Sequence, residues 1–205
     1  MKILLTGFEP FLNYTENSSW VVAEQVATRG VVGCDVVTER MPVSFSRVGD
    51  ALRKAVEKHC PDIIIMLGQS ASSDSVRLER VALNMMDSKM GDNDGFRPDE
   101  EPVYEGEENA LFTSLAIKQL CESIREQGIA VKISNSAGLY VCNCIYYEAL
   151  RLCKEHPAMR AQFVHLPMYD GQPSAKVNNP TLPLADMVQA VAAIINEVND
   201  KSREI

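Results

Sequence analysis

The sequence predicts an α/β fold: a single-domain αβα globule whose twisted, mostly parallel central sheet is flanked by helices. Two observations lead to this prediction. Short apolar runs that end in glycine or polar residues alternate along the chain with longer segments whose apolar residues recur at helical spacing, which is the pattern of βαβ units. The 205 residues, 46% of them hydrophobic, suffice for one core, so we expect residues 1–205 to form a single domain.

The first half of the chain contains a strand, a helix and a second strand. Each strand is a short apolar run that ends in glycine, at Gly7 and at Gly68, and the helix stops before Pro61, which cannot continue it. Val36 to Arg40 alternates more loosely and is expected toward an edge of the sheet or in a hairpin. In order, the three clear segments are Lys2 to Thr6, Ser46 to His59 and Asp62 to Leu67.

The second half alternates in the same way. Glu79 to Met85 is a loosely alternating extended segment, again expected at an edge or in a hairpin. Gly128 marks the end of a helix, because glycine readily adopts the left-handed conformation that closes helices. The other predicted elements are a helix from Ala110 to Gln127, a strand from Ala130 to Ser134, a helix from Asn143 to Glu155, a strand from Gln162 to Pro167 and a helix from Leu184 to Val198.

Two long polar stretches interrupt this alternation, Asp87 to Asn109 and Met168 to Pro183. Loops beyond about 12–15 residues are uncommon in compact domains unless they act as lids, interfaces or disordered excursions. The first stretch contains Gly91 to Gly95, which looks like part of a calcium loop. The first ligand position would be Met90, which cannot coordinate calcium, so a polar turn is the better interpretation.

The overall charge excludes several classes of partner. The chain has 20 Lys and Arg against 28 Asp and Glu, a net charge of -8, so we expect no nucleic acid and no anionic membrane as partner, because both are bound through basic faces. No apolar run approaches the roughly 18 residues of a membrane span. Gly7 and Glu9 interrupt the first apolar run before a signal-peptide core is complete. We expect a cytoplasmic protein with mostly reduced cysteines.

Polar residues at the ends of the predicted strands are candidates for a functional site. In open parallel sheets, ligands bind beyond the carboxyl ends of the strands. Four predicted strands end in polar or turn residues, and we expect these four ends to cluster at one edge of the sheet. They are Thr6 to Glu9, Gly68 to Ser70, Asn135 to Gly138, and His165.

Cys142 follows one of these ends, at the start of a predicted helix. Unpaired backbone N–H groups at a helix start favour a thiolate and can stabilise an oxyanion. Helical spacing places Cys142 on a stripe that faces the body of the protein, and Cys144 with Glu148 on a stripe that faces water or a partner subunit. The Cys-x-Cys pair is a poor zinc site, because no second pair of ligands completes a tetrahedral set.

A cysteine nucleophile needs a base, and the chain offers three histidines. His59 falls on an apolar helical stripe, and His156 lies in a helix-ending turn. His165 ends a strand at the edge where the site is expected, so it is the best base. A buried structural thiol and a structural histidine remain the alternative interpretation of Cys142 and His165.

Six groups of residues follow one another along nearly the whole chain: Leu5 to Phe11 with Asn17 and Trp20, Leu67 to Gln69, Glu79 to Asn84, Asp92 to Gly95, Ala137 to Asn143, and His165 to Pro167. In this order they resemble the pyroglutamyl peptidase I (pyrrolidone-carboxylate peptidase) family. Members of this family are cytosolic cysteine peptidases that remove an N-terminal pyroglutamyl (5-oxoproline) residue.

The resemblance implies a catalytic triad of Glu79, Cys142 and His165. The Cys142 thiolate would attack the scissile carbonyl, His165 would take and return the proton, and Glu79 would orient the imidazole. The resemblance also implies that neither a metal nor an organic cofactor is needed. N-terminally pyroglutamylated peptides are the implied partners, and a homotetramer is the implied assembly.

By the same resemblance, the lactam ring occupies an apolar pocket with a few polar contacts, which suits an uncharged ring. Lys89 stands where the family has an arginine near the catalytic cysteine, so we expect it to support the oxyanion as a point charge without the planar fork of arginine. Leu12, Leu139 and Ala71 to Ser73 also depart from the family pattern. The residues expected to line the pocket are Phe8, Phe11, Asn17, Val43, Gln69, Met90, Tyr140 and Val141.

Two other functions stay open at this point. The departures at Lys89 and at Ala71 to Ser73 permit a non-catalytic protein that keeps the fold and binds pyroglutamate without cleaving it. The other is an amidase for a different small cyclic or N-terminal amide. Turnover of a pyroglutamyl amide that depends on Cys142 distinguishes the peptidase from the binding protein, and a substrate panel distinguishes it from the amidase.

Overall fold

The computed structural model describes residues 1–173 and 178–201, and ten strands and five helices lie in that part of the chain. The strands are β1 (Lys2–Phe8), β2 (Asp35–Met41), β3 (Ile63–Gln69), β4 (Val76–Glu79), β5 (Val81–Leu83), β6 (Ala110–Phe112), β7 (Val131–Ser134), β8 (Arg160–Leu166), β9 (Met168–Tyr169) and β10 (Thr181–Leu182). The helices are α1 (Ser18–Arg29), α2 (Val48–His59), α3 (Ile117–Glu126), α4 (Val141–Glu155) and α5 (Leu184–Lys201).

The centre of the protein is a six-stranded sheet with the order β2-β1-β3-β8-β4-β7. The first four strands in this order pair in parallel with their neighbours. β4 pairs antiparallel with β8 and parallel with β7, so the last two strands run in the opposite direction. The sheet is therefore mostly parallel, and β2 lies at one edge, as the loose alternation of Val36 to Arg40 suggested.

Helices cover both faces of this sheet. One core cluster joins α1, α3 and α5 to one face, and a second joins α2 and α4 to the other. β1 and β3 are buried along nearly their whole length, because each contributes alternate side chains to both clusters. The predicted α/β class with αβα layers is confirmed.

Helix α1 was not apparent in the apolar pattern. Asn17 caps it, since its Oδ1 accepts a hydrogen bond from the Ser19 backbone N–H at 3.1 Å. The helix packs directly on the backbone of β1, where a Cβ atom at Gly7 would lie only 2.6 Å from Cα of Trp20. This close approach brings the start of α1 to the carboxyl end of β1.

The predicted helix from Ala110 is wrong in its first part. Ala110–Phe112 forms β6 and pairs antiparallel with β5, and the helix begins only at Ile117. Backbone pairing explains the difference, because the ladder with β5 continues into a bond from the Thr113 N–H to the Arg80 carbonyl at 3.2 Å. The extended segment Glu79 to Met85 thus divides between the central sheet and this two-stranded sheet of β5 and β6.

The predicted clustering of four strand ends is right for β1, β3 and β8. It is wrong for β7, which runs in the opposite direction and ends at the level of Glu79. β7 follows α3 and enters the sheet beside β4, so its end at Ser134 faces away from the edge where β1, β3 and β8 end. Residues 135–140 bring the chain back to the start of α4.

The polar stretch Asp87 to Asn109 is folded against the body of the protein. Asp92 accepts hydrogen bonds from the backbone N–H groups of Phe45, Asp94 and Phe96 at 2.8–3.0 Å. In the second stretch, Met168 to Pro183, the short strands β9 and β10 pair in parallel, and residues 174–177 lie outside the described residues. None of the helices in the described part is both long and apolar enough to cross a membrane.

Candidate active site

The three predicted triad residues come together at the carboxyl end of the parallel strands. His165 lies on β8, opposite Gly68 of β3, and Cys142 stands in the first turn of α4 above them. Glu79, the last residue of β4, reaches His165 from the neighbouring strand. Its Oε1 lies 2.8 Å from Nδ1 of His165. This leaves Nε2 of His165 available for Cys142, whose Sγ lies beside Gly68, the residue paired with His165.

The surroundings of His165 favour a charged imidazole. Burial, the largest single influence, disfavours the charge, but the hydrogen bonds and charges of Cys142 and Glu79 outweigh it and raise the pKa of His165 to about 9. His165 is therefore protonated at neutral pH. An imidazolium beside a thiol is the arrangement that activates a cysteine nucleophile.

Glu79 is fixed through its backbone, while its side chain stays under-satisfied. Its carbonyl oxygen accepts hydrogen bonds from the Tyr146 hydroxyl at 2.9 Å and from Nε2 of Gln162 at 2.7 Å. The carboxylate is buried, at 1% exposure, and Oε2 has no hydrogen-bond partner in the described part of the chain. Among the described residues, His165 alone forms an ion pair with this carboxylate.

The glycine of the Leu67 to Gln69 motif leaves room for the thiol. A Cβ atom at Gly68 would lie 3.0 Å from Sγ of Cys142 and 2.7 Å from the ring of Phe163. Phe163 in turn packs edge-on against His165, with ring centroids 4.8 Å apart. Any side chain at position 68 would therefore displace the thiol or the ring that supports the imidazole.

The side chain of Asn143 holds the start of α4 to the segment that contains β5. Oδ1 of Asn143 accepts from the Leu83 N–H at 2.8 Å, and its Nδ2 donates to the carbonyls of Leu83 and Met85 at 2.8 and 3.0 Å. These bonds fix the first helical turn next to the triad. In that turn the N–H groups of Asn143 and Cys144 donate to the Tyr140 carbonyl at 2.9 and 3.3 Å, which leaves those of Val141 and Cys142 to stabilise negative charge.

The predicted exposure of Cys144 is wrong. Cys144 is 3% exposed and Glu148 is 1% exposed, because α2 and the segment around Tyr104 cover the side of α4 that helical spacing assigned to water or a partner. Burial, followed by the charge of Cys142, raises the pKa of Cys144 well above its ordinary value. Cys142 is partly exposed at the site, so the two cysteines are inequivalent for a different reason than the predicted one.

A small cavity beside Cys142 is lined by seven of the eight residues that were predicted to form the pocket. Its volume is about 100 Å³, small beside the roughly 300–1,000 Å³ of pockets for drug-sized ligands. The aromatic wall is tight, with ring centroids of Phe11 and Tyr140 5.1 Å apart. The lining residues are Phe8, Phe11, Asn17, Val43, Gln69, Tyr140, Val141 and Cys142.

Two side-chain amides supply polarity to this cavity. Oε1 of Gln69 accepts hydrogen bonds from the Ser18 N–H and from Nε2 of Gln172, both at 2.8 Å. Asn17 uses Nδ2 to donate to the Glu9 carbonyl at 3.1 Å, which occupies one of its two amide hydrogens. Both residues therefore retain amide hydrogens that can be donated to a ligand.

Met90 and Lys89 lie at the surface. Met90 is 51% exposed and is not part of the cavity lining, although its neighbour Gly91 accepts a hydrogen bond from the Tyr140 hydroxyl at 3.1 Å. Lys89 is exposed, and no carboxylate of the described residues forms an ion pair with it.

Three residues of the site were not found from the sequence. Gln172 lies in a polar stretch without periodicity, so no pattern marks it. Phe45 supports Tyr140 from behind, with ring centroids 5.1 Å apart, and also lies outside a regular element. Ser18 follows Asn17 and opens α1; the Asn-Ser-Ser sequence before an apolar segment is a helix-start signal that could have revealed it.

The described residues contain no group of three or more His, Cys, Asp or Glu side chains arranged to hold a metal ion. The chemistry that the arrangement itself offers is acyl transfer. It combines a thiol, an imidazole oriented by a carboxylate, and the N–H groups of a helix start beside a small, mostly apolar cavity.

Comparison with known proteins gives a consistent result. The family model described as pyroglutamyl peptidase matches residues 1–201. A pyrrolidone-carboxylate peptidase of Thermococcus onnurineus is 36% identical over 95% of this chain and 97% of its own length. One from Clavibacter michiganensis is 35% identical over 94% of this chain and 90% of its own length.

Solved structures agree over nearly the same length. Pyroglutamyl peptidase I of Bacillus amyloliquefaciens superposes with a TM-score of 0.90, at 34% identity over 94% of each chain. A mutant pyrrolidone carboxyl peptidase of Pyrococcus furiosus superposes with a TM-score of 0.92, at 31% identity over 98% of this chain and 99% of that chain.

Proposed function

The chain belongs to the pyroglutamyl peptidase family of cysteine peptidases, and on that premise we propose that it hydrolyses the amide bond after an N-terminal pyroglutamyl residue through an acyl-enzyme on Cys142. The observation that carries the proposal is the 2.8 Å contact between Glu79 and Nδ1 of His165, with Cys142 at the start of α4 beside Gly68, the residue paired with His165. Similarity to the family favours the peptidase over a non-catalytic binding protein.

Acylation begins with the Cys142 thiolate and the His165 imidazolium. Sulfur attacks the carbonyl carbon of the pyroglutamyl residue, and the carbonyl oxygen becomes an oxyanion. When the tetrahedral intermediate collapses, the C–N bond breaks and the imidazolium gives its proton to the leaving amine. Glu79 keeps Nε2 directed at the sulfur and the leaving nitrogen throughout this step.

Deacylation reverses the proton transfers. Neutral His165 takes a proton from water, the resulting hydroxide attacks the thioester, and the C–S bond breaks to release pyroglutamate. The thiolate and the imidazolium are then restored. We assign oxyanion stabilisation to the N–H groups at the start of α4, with Lys89 as a mobile charge that joins them when substrate is bound. The exposed position of Lys89 supports only this auxiliary role.

The cavity supports a lactam as the bound group. Its apolar wall of Phe8, Phe11 and Tyr140 suits an uncharged ring, and the free amide hydrogens of Gln69 suit the ring carbonyl. Burial raises the pKa of Tyr140 well above its ordinary value, so the phenol stays neutral beside such a ring. The substrates we propose are therefore N-terminally pyroglutamylated peptides.

The test is turnover of a pyroglutamyl chromogenic amide by the wild-type protein and by two cysteine variants. Cys142→Ala is expected to lose at least ~10²-fold in kcat/KM, because the nucleophile is removed. Cys153→Ala, from the same helix, is the matched control and is expected to keep activity. Full activity in Cys142→Ala would refute the proposed mechanism. A wild-type protein that binds but never cleaves the amide would favour the binding protein instead.

We further propose that residues 1–205 act as one peptidase domain in the cytoplasm and assemble into a homotetramer. The family match over residues 1–201 supports the first point. The cytoplasmic location is supported by the thiols of Cys60, Cys121, Cys142, Cys144 and Cys153, which form no disulfide, because the cytosol keeps thiols reduced. Phe112 is a large apolar side chain on β6 that is 65% exposed, and we propose it as a contact between copies of the chain. Light scattering of the wild type and of Phe112→Ser tests the assembly.

A further inference from the structure

The amide of Gln69 is held through its oxygen. Its oxygen accepts two hydrogen bonds, from the Ser18 backbone N–H at 2.8 Å and from Nε2 of Gln172 at 2.8 Å. An amide oxygen has two lone pairs, so both are occupied. Within the described residues, no acceptor is paired with the Gln69 amide nitrogen, and Gln69 lines the cavity. The cavity is therefore offered a hydrogen-bond donor at this position.

Gln172 is itself fixed in one direction. It is 3% exposed, and its Oε1 accepts from the Tyr169 backbone N–H at 3.2 Å. That bond turns the amide nitrogen of Gln172 toward Oε1 of Gln69 and the Glu16 carbonyl, which lies 3.5 Å away. Tyr169 also binds the Glu16 carboxylate through its hydroxyl. The segment after β8 is thus fastened to the residues that begin α1.

These bonds form a directional series. A backbone N–H can only donate, so Tyr169 fixes the oxygen side of Gln172, and Gln172 then fixes the oxygen side of Gln69. Rotation of the Gln69 amide by half a turn would direct its NH2 group at the Ser18 N–H and the Gln172 NH2 group. Buried donors would then face donors without acceptors, which is strongly unfavourable. The series therefore selects one of the two amide orientations.

We propose that Gln172 is a positioning residue for substrate specificity: it fixes the Gln69 amide so that the pocket donates a hydrogen bond to the lactam carbonyl. The pocket then discriminates against five-membered rings that lack an acceptor at that position, such as proline. This inference rests on the proposed function, because it identifies the bound ring as a lactam. Gln172 acts through Gln69.

The decisive variant is Gln172→Glu. A carboxylate accepts but cannot donate, so it favours rotation of Gln69 and presents the oxygen of Gln69 to the lactam carbonyl. For a pyroglutamyl amide, KM is expected to rise roughly 10- to 100-fold, as for a buried polar group left unpaired, with kcat changed by less than about threefold. The affinity for 2-pyrrolidone, the bare lactam ring, should fall by a similar factor.

Acidification supplies a readout that a purely structural role would not give. Protonation turns the Gln172→Glu carboxyl group into a donor, so the ratio of variant to wild-type kcat/KM should rise as the pH falls from 8 to 5. Gln172→Met keeps the volume and has no titrating group, so its ratio should stay flat over the same range. This second variant also tests the proposal if Gln172→Glu does not fold.

Asn179→Ala is the matched control. Asn179 belongs to the same polar stretch, and its side chain donates to the Ala71 carbonyl at 3.0 Å. Its KM is expected to stay within about twofold of the wild-type value. An unchanged KM in both Gln172 variants, or an equal rise in Asn179→Ala, would overturn the inference. Binding of 2-pyrrolidone keeps this test separate from the proposed function, because it can be measured even if no amide is cleaved.

Discussion

Two carboxylates are equally buried in this protein, and their surroundings are opposite. Glu79 and Glu148 are each 1% exposed. Glu148 lies on α4 and forms ion pairs with Arg53 and Arg151, so both of its oxygens are occupied. Glu79 meets a single cation, His165, and its Oε2 has no partner in the described part of the chain.

The difference distinguishes an anchor from a reactive group. A buried carboxylate paired with two guanidinium groups keeps both counter-charges, since arginine does not titrate in the accessible range. A carboxylate that is paired only with an imidazolium loses its counter-charge when the imidazolium gives up its proton. Under-satisfaction of a buried charge is costly, and such costs persist at functional sites. Glu79 is therefore the carboxylate expected to control the reaction, and Glu148 the one expected to control stability.

The largest expected effect is on the reaction. Glu79→Gln should reduce kcat/KM for a pyroglutamyl amide by about 10³-fold or more, because the amide stabilises the wrong tautomer and does not compensate the imidazolium. Above about pH 9, where His165 has lost its proton, the melting temperature should change little, since the main-chain bonds of Glu79 to Tyr146 and Gln162 remain. Steady-state kinetics and a thermal melt on the same preparation check both statements. A variant with near wild-type kcat/KM would contradict the assigned role.

The reverse pattern is expected at the other carboxylate. Glu148→Gln leaves Arg53 and Arg151 partly buried without their shared counter-charge, so the free energy of unfolding should fall by about 3 kcal/mol. This value lies at the low end of the roughly 3–5 kcal/mol expected when one partner of a buried ion pair is removed, because Arg53 and Arg151 keep Asp50 and Glu155 as partners. Denaturant unfolding measures it. The kcat/KM of the folded variant should stay within about threefold of the wild-type value. A loss of kcat/KM as large as that of Glu79→Gln would show that the two carboxylates do not differ in role.

The sequence predicted the members of the triad better than their surroundings. Strand ends and a helix start locate Cys142 and His165, because ligand sites of parallel sheets follow from strand direction alone. Glu79 came only from family resemblance, since β4 pairs antiparallel with β8 and no local pattern announces that reversal. The exposure of Cys144 was mispredicted because helical spacing reports which residues share a face and not how many faces are covered; α4 is covered nearly all round.

The pH dependence of stability should separate the two carboxylates further. The pKa of His165 is raised from 6.5 to about 9 in the folded protein. Protonated His165 therefore stabilises the folded protein. This contribution to the free energy of unfolding, up to roughly 3 kcal/mol, is fully present below about pH 6.5 and is lost as the pH rises through about 9. Unfolding free energies at several pH values measure this, and NMR titration of His165 gives the pKa directly. The slope should flatten in Glu79→Gln and persist in Glu148→Gln.

Activity should show the same titration. The imidazolium donates the proton to the leaving amine, so kcat/KM should decline as the pH rises through about 9. An alkaline limb that stays near the ordinary histidine pKa of about 6.5 would show that Glu79 and Cys142 do not hold the proton on His165.

The smallest expected effect concerns Cys142 and Cys144 in the first turn of α4. Like the two carboxylates, they are one group proposed to react and one proposed to serve only packing. Burial keeps Cys144 as a neutral thiol by raising its pKa, whereas Cys142 contacts an imidazolium and is partly exposed. Cys144→Ala should cost about 1 kcal/mol of stability through lost packing and alter kcat/KM by less than about twofold. In the native protein, iodoacetamide followed by peptide mapping should modify Cys142 and spare Cys144. Modification of both at similar rates would mean that the covered face of α4 opens, and burial alone would no longer explain why the helix carries one reactive thiol and one inert one.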